Sequence, residues 1–277
     1  MKRISPSTIF RYSLLIIITG IMIFPFYWML ISSVKIPEEF TSYPPTLFPK
    51  RITFEFYIEI LQYTNVLIWL ENSTIVSLMT TSVVTLIACL GAYGISRFRF
   101  LGKRIMSNLI VLVYIFPPIM LLIPLYDLMN KLGIVHSFYS LLIVYVAFNL
   151  PTSLWILKAF FDTIPTDLEE ASMIDGCSRI EALFRIVMPL AAPAIAAAAI
   201  FSFIMTWNEF MFASLFLTSS GAETMAVGIV DYSTALFRMY WQEVMALGTI
   251  SCLPGFLFAF FLQKYLVAGL TKGAVKR

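Results

Sequence analysis

Charge is what this sequence has least of. Asp, Glu, Lys and Arg make up 13% of its 277 residues, where an ordinary globular chain carries about 25%. Hydrophobic residues make up 60%, and the mean hydropathy is +0.87. A surface so poor in charge cannot all face water, and lipid is the solvent that accepts it. The net charge of +3 is small and dispersed, which excludes a nucleic-acid binder. Histidine is nearly missing. His136 stands alone, so there is no histidine cluster for a metal and no nucleophile–base pair for a membrane hydrolase. The three cysteines, Cys89, Cys177 and Cys252, lie at no metal-ligand spacing. Cys89 and Cys252 fall in apolar runs and read as small core residues. No Gly-x-x-x-x-Gly-Lys-[Ser/Thr] loop occurs, so nothing here cradles nucleotide phosphates. The apolar runs hold almost no acids or bases. This counts against an ion-coupled secondary transporter, which needs ionisable groups at membrane depth.

Long hydrophobic runs are what the sequence has in abundance. A spanning helix needs about 20 mostly apolar residues. Six runs meet that length, at 12–32, 68–93, 105–125, 138–157, 190–213 and 244–266. The fourth contains Asn149 and Pro151, a break that neighbouring helices can absorb. The first follows Lys2, Arg3 and Arg11 like a signal peptide. It continues through Phe24-Pro25-Phe26-Tyr27-Trp28 without a small-residue cleavage site, so it is expected to stay as a helix. With the N-terminus in the cytoplasm, Lys35, Lys50, Arg51, Lys131 and Arg238 lie outside and the other Lys and Arg of the 19 lie inside. This is a strong positive-inside bias. The expectation is an all-α membrane protein of one domain, residues 1–277, with six transmembrane helices and both termini cytoplasmic.

One cytoplasmic segment is polar. Thr166 and Glu169 have the spacing of a capping box, in which each side chain satisfies the other residue's backbone N–H. Gly176 is a natural stop. Asp167–Asp175 is therefore expected to be about two and a half helical turns. Ser178 and Glu181 form a second box, and the next helix is expected to place Ile180, Leu183, Phe184 and Val187 on one stripe. Pro189 ends that helix or joins it to the fifth run. The result is an elbow over 166–187. Glu170 shares a face with Asp167, Met173 and Ile174, and Ala171 and Ser172 are small. Two readings stand on physics alone: insertion into a cleft of a soluble partner, or an interfacial helix packed on its own bundle.

Glu170-Ala171-Ser172-Met173-Ile174-Asp175-Gly176, with Pro189 beyond, resembles the cytoplasmic signature of permease subunits of bacterial and archaeal ATP-binding-cassette (ABC) importers. Ser172 replaces that pattern's second Ala. Gly91-Ala92-Tyr93-Gly94-Ile95-Ser96-Arg97-Phe98-Arg99-Phe100, Ile123-Pro124-Leu125-Tyr126, Lys131-Leu132-Gly133, Trp207-Asn208-Glu209-Phe210 and Gly269–Lys276 resemble further segments of the family. The last two are similar to carbohydrate-uptake permeases of the maltose-permease G type. The resemblance implies a MetI-like ABC permease bundle with a cytoplasmic coupling helix, in a bacterial or archaeal cytoplasmic membrane. Its partners would be a second homologous permease in a heterodimer, an ABC ATPase dimer, an extracellular solute-binding protein and membrane lipid, with no nucleic acid and no cofactor. Glu169, Glu170, Ala171, Ser172, Asp175 and Gly176 become candidate ATPase-docking residues. Gly269, Gly273 and Lys276 become candidates for a tail that reaches the ATPase. The loop within 217–240 would probe the binding protein. Trp207, Asn208, Glu209, Asn149 and Asn72 are candidates for a pore or gate, although interhelical bonding or interfacial anchoring would explain them equally. The solute is expected to be a sugar or oligosaccharide. The alternatives are another solute such as glycerol phosphate or a polyol, and, from a different class, an ion-coupled secondary transporter.

Overall fold

The structure is a computed structural model that describes residues 6–112, 117–217, 221–235 and 241–274. Most of the described residues are helical. In chain order the helices are α1 (Pro6–Ser33), α2 (Pro37–Phe40), α3 (Glu55–Tyr63), α4 (Val66–Arg97), α5 (Lys103–Leu112), α6 (Leu122–Lys131), α7 (Phe138–Phe161), α8 (Asp167–Ile174), α9 (Arg179–Ala182), α10 (Met188–Leu190), α11 (Ala192–Trp207), α12 (Met211–Phe216), α13 (Met225–Ala235) and α14 (Trp241–Ala274). A 3₁₀ turn at Pro118–Leu121 precedes α6, and a π-helical turn at Leu183–Val187 joins α9 to α10.

Among the described residues, four helices are long and apolar enough to cross a membrane. They run over Thr8–Ser33, Val66–Arg97, Phe138–Phe161 and Trp241–Leu266. Arg179–Leu190 and Ala192–Trp207 make a fifth if their 77° bend is counted within one span. No single described helix covers the run at 105–125. α5 ends at Leu112 and residues 113–116 lie outside the described set. The chain resumes in a 3₁₀ turn at Pro118. Pro117 and Pro118 supply no N–H to a helical ladder, so an α-helix cannot run through them without losing bonds. The run at 190–213 is also divided. α11 stops at Trp207 and α12 starts at Met211. Pro25, Pro151 and Pro254, by contrast, sit inside continuous helices.

The chain divides into two compact units, residues 1–67 with 228–253, and 68–227 with 254–277. In the first unit hardly any of α1 is buried. Beyond it the segment 34–54 is tied by polar groups. Buried Lys35 donates from Nζ to the Thr46 carbonyl and lies 4.6 Å over the Trp28 ring. The Glu39 carboxylate accepts from Thr46 Oγ1 at 2.7 Å and from the Lys50 N–H at 2.9 Å. The Thr46 bond, with the Lys50 amide and Lys35 behind it, holds the Glu39 carboxyl below its ordinary value and outweighs the opposing effect of burial. A depressed carboxylate stabilises the fold above its unfolded pKa, and the benefit is lost as pH falls through the folded value. Glu39→Gln is therefore expected to speed amide exchange over residues 34–52 at pH 7. At a pH below both values the variant and the parent should exchange alike.

The second unit is built around α7. Near one end Leu154, Leu157 and Phe161 pack with Ala88, Cys89, Ala92 and Ile95 of α4 and with Ala191, Ala194 and Ala198 around the start of α11. Towards the other end Leu141, Val144 and Tyr145 pack with Met129 of α6 and with Phe212, Ala213 and Phe216 of α12. Small residues set the spacing. A Cβ at Gly91 would stand 3.1 Å from Leu154 Cδ1. Close approach of this kind lets dispersion hold helices together where lipid removes the hydrophobic drive.

Candidate functional site

The elbow forms, but one of its caps does not. Thr166 makes no side-chain cap bond, and its φ and ψ (−66°, −26°) are already helical rather than the extended values of an N-cap. The expected Thr166–Glu169 box fails because Glu169 turns inward. One carboxylate oxygen accepts from Arg97 Nε at 2.6 Å and the other from Tyr93 Oη at 2.8 Å. The Arg97 and Glu169 side chains are each 8% exposed. Arg97 also donates from Nη2 to the Ile164 carbonyl at 2.9 Å. Beside it Ser96 Oγ donates to Asp162 Oδ1 at 2.6 Å, and Lys158 pairs with Asp162 at 2.7 Å. Burial works to raise the Asp162 carboxyl, and the Lys158 and Ser96 bonds outweigh it, leaving the group below its ordinary value.

The far end of α8 closes as expected. Gly176 has φ +95°, its N–H donates to the Met173 carbonyl, and the Cys177 N–H reaches the Ser172 carbonyl at 3.0 Å. This pair of bonds is the Schellman motif. An L-residue in the left-handed region costs about 1–2 kcal/mol. Gly176→Ala is therefore expected to loosen the corner and to raise protease cleavage at 174–178 in membrane vesicles, while the spans remain inserted. The second box is present. Ser178 Oγ accepts from the Glu181 N–H, and Glu181 Oε2 accepts from the Ser178 N–H at 2.8 Å. The Ser178 bonds hold the Glu181 carboxyl below its ordinary value, with Arg185 adding to the effect. The expected stripe is half right. Leu183 and Val187 are buried, whereas Ile180 and Phe184 are exposed. Ile180 and Phe184 form one i,i+4 row and Leu183 and Val187 the adjacent one, and only the second row is buried.

Successive helical side chains point about 100° apart, so α8 has two unlike faces. Glu169 and Ser172 are buried, and Ser172 Oγ donates to the Glu169 carbonyl at 2.7 Å. Glu170, Ala171, Asp175 and Gly176 are exposed, and Ile174 is 85% exposed. Of the six docking candidates, Glu169 and Ser172 thus face the bundle and the other four face outward. Of the tail candidates, Gly269 and Gly273 lie in the last turns of α14, and Lys276 lies outside the described residues.

The pore candidates separate in the same way. A cavity of about 450 Å³ is lined by Tyr145, Phe148, Asn149 and Thr152 of α7, by Phe201 and Met205 of α11, and by Pro118, Glu209, Met211 and Phe212. Glu209 sits at the break between α11 and α12. Its Oε1 accepts from the Phe212 N–H at 2.9 Å, and its Oε2 accepts from the Ala213 N–H at 3.2 Å and from Tyr145 Oη at 2.5 Å. The carboxylate thereby caps α12 and ties it to α7. Asn149 Nδ2 donates to the Tyr145 carbonyl at 2.9 Å and to Thr206 Oγ1 at 3.3 Å. Glu209 and Asn149 therefore share one cavity. Trp207 is buried and stacked on Phe203 at 5.6 Å, and Asn208 donates to the Ile204 carbonyl. Asn72 donates to the Glu223 carbonyl while Trp69 Nε1 donates to the Glu223 carboxylate at 2.8 Å, pinning the segment before α13 to α4. Within the 217–240 loop, residues 218–220 and 236–240 lie outside the described set. Sequence reasoning missed Tyr93, Arg97 and Tyr145. Arg97 left a signal, since it is the basic residue that ends a 32-residue apolar helix, one turn after a tyrosine.

A bundle of apolar helices with a cavity between them and a polar elbow at its edge is the build of a membrane transport subunit. The chain belongs to the family of binding-protein-dependent transport system inner membrane components, which it matches over residues 85–272. It is similar to the trehalose/maltose transport system permease protein MalG of Thermococcus litoralis, at 39% identity over 94% of both chains. It is also similar to the inner membrane ABC transporter permease protein YcjP of Escherichia coli, at 36% identity over 92% of each, and to the trehalose transport system permease protein SugB of Mycobacterium tuberculosis, at 31% identity over 94% of each. A solved bacterial ABC transporter involved in the import of the acidic polysaccharide alginate contains a chain with the same fold. The TM-score is 0.78, over 96% of this chain and 99% of that one, at 21% identity. The protein is thus a multi-pass inner-membrane permease subunit of an ABC importer and not an enzyme.

Proposed function

We propose that this chain forms half of the translocation path of a carbohydrate importer, paired with a homologous permease. An ATPase dimer would dock on its cytoplasmic elbow, and an extracellular binding protein would deliver the sugar. The bareness of α1 along its length supports the pairing. Six spans belong to the same reading, with the run at 105–125 as the third. The outward face of α8 carries the docking reading. It joins an acid, Glu170, to a small residue, Ala171, and an exposed apolar knob, Ile174, on a helix with a fixed end at Gly176. Both termini lie in the cytoplasm on this reading, in keeping with the distribution of Lys and Arg. The cavity at Tyr145, Asn149 and Glu209 suits a neutral sugar. Phe148 and Phe212 offer ring faces, and Asn149 with Thr152 offers a polar edge. The names of the relatives favour a disaccharide such as trehalose or maltose over glycerol phosphate or a polyol. Affinity purification from native membranes, followed by reconstitution with a panel of sugars, tests the whole reading. It requires an ATPase and a second permease to copurify and ATP to drive sugar uptake. Recovery of an active homomer that needs no ATP would refute it.

A further inference from the structure

We infer that Glu169 is a positioning residue that, with Arg97 and Tyr93, forms the joint carrying movement of the docked elbow into the membrane-crossing helix α4. This rests on the importer reading above and adds to it the point at which force enters the bundle. α8 buries two of its 8 residues. They are Glu169 and Ser172, neither of them apolar, and the Ser172 hydroxyl is spent on its own helix. The attachment of α8 to α4 therefore rests on directional bonds and not on a greasy face. Both Glu169 oxygens are held, one by Arg97 Nε at 2.6 Å and one by Tyr93 Oη at 2.8 Å. The two partners lie one turn apart on α4, so α8 cannot slide along α4 without breaking both bonds. Arg97 also grips the Ile164 carbonyl, just ahead of the elbow. Charge-assisted bonds of this kind are short and orientation-specific, unlike apolar contacts, which can slip. The other end of the lever is rigid as well. α4 runs unbroken for 32 residues, about 48 Å at 1.5 Å per residue, so displacing its end moves the whole span. Glu169 and Glu170 are neighbours with opposite duties, the first facing the bundle and the second facing outward.

The test uses the complete importer in proteoliposomes, comparing Glu169→Gln, Tyr93→Phe and Glu169→Asp with the parent. The quantities measured are ATPase copurification, ATP hydrolysis and sugar taken up per ATP. Glu169→Gln should retain the ATPase and hydrolysis but lower uptake per ATP by about tenfold. Tyr93→Phe, which removes one hydroxyl, should lower it less, and Glu169→Asp should recover part of the loss. An unchanged ratio in both Glu169→Gln and Tyr93→Phe overturns the joint while leaving the importer reading intact. So does a loss of ATPase copurification in Tyr93→Phe, because the cluster would then be needed only to build the docking face. A parent complex that hydrolyses ATP without moving any sugar of the panel would sink the importer reading instead.

Discussion

A complex carrying Glu170→Lys should take up no sugar and should lose its ATPase on purification, while the permease itself is inserted and recovered in normal amounts. Glu170 is exposed on α8 and has no structural task within the chain comparable to that of Glu169. Reversing its charge therefore leaves the bundle unaltered and acts on whatever meets that face. Truncating one member of a buried charge pair at an interface costs about 2–5 kcal/mol, and the lower figure already weakens binding about 30-fold. Quantitative copurification with a tagged ATPase, set beside uptake in vesicles, checks the expectation. Wild-type uptake by the Lys variant would show that Glu170 does not face the ATPase. Glu170→Gln should fall between the two, since it keeps the shape and an acceptor oxygen but not the charge.

The second large effect is expected at Glu209. Glu209→Ala removes the acceptor of three donors at once: Tyr145 Oη and the N–H groups of Phe212 and Ala213. A hydrogen bond to a charged group contributes about 1.5–3 kcal/mol, and donors stranded without it cost a similar amount. Water entering the cavity can serve part of the need, so a net loss of about 3 kcal/mol is reasonable. Thermal unfolding of the purified complex should begin at a clearly lower temperature, and uptake should fall with it because α12 loses both its cap and its tie to α7. Glu209→Gln should recover most of the thermal stability. If the Ala variant melts like the parent, the carboxylate is not what holds α12 in place.

Much of this architecture was written in the order of the residues. Apolar runs at 68–93, 138–157 and 244–266 became α4, α7 and α14, each somewhat longer than the run because hydropathy marks the lipid-facing part of a helix and not its ends. The corner at Gly176 and the box at Ser178 and Glu181 were legible because each depends on residues fewer than six positions apart. The fate of Glu169 was not legible. Its capping partner at Thr166 lies three residues away, but its real partners lie at 93 and 97, and only the packing of α4 beside the elbow brings them within bonding distance. The same holds for Glu209, whose Tyr145 is on another helix. Within the run at 105–125, hydropathy gave no warning of the break at Pro117 and Pro118, because it ignores what proline does to a backbone ladder. A local signal survives folding when nothing stronger competes for the same side chain. At Glu169 distant donors displaced the local cap, whereas Glu209 keeps its local N–H donors and gains Tyr145 as well.

α1 keeps almost all of its side chains uncovered. Its peptide groups satisfy one another along the helix, so it can rest in a bilayer with no protein beside it. Lipid chains cover a greasy helix about as well as Leu and Ile do, and displacing them releases little free energy. On the proposed pairing, a second subunit lying along α1 would have to be held by close fit and by polar contacts elsewhere, and not by burial of greasy surface.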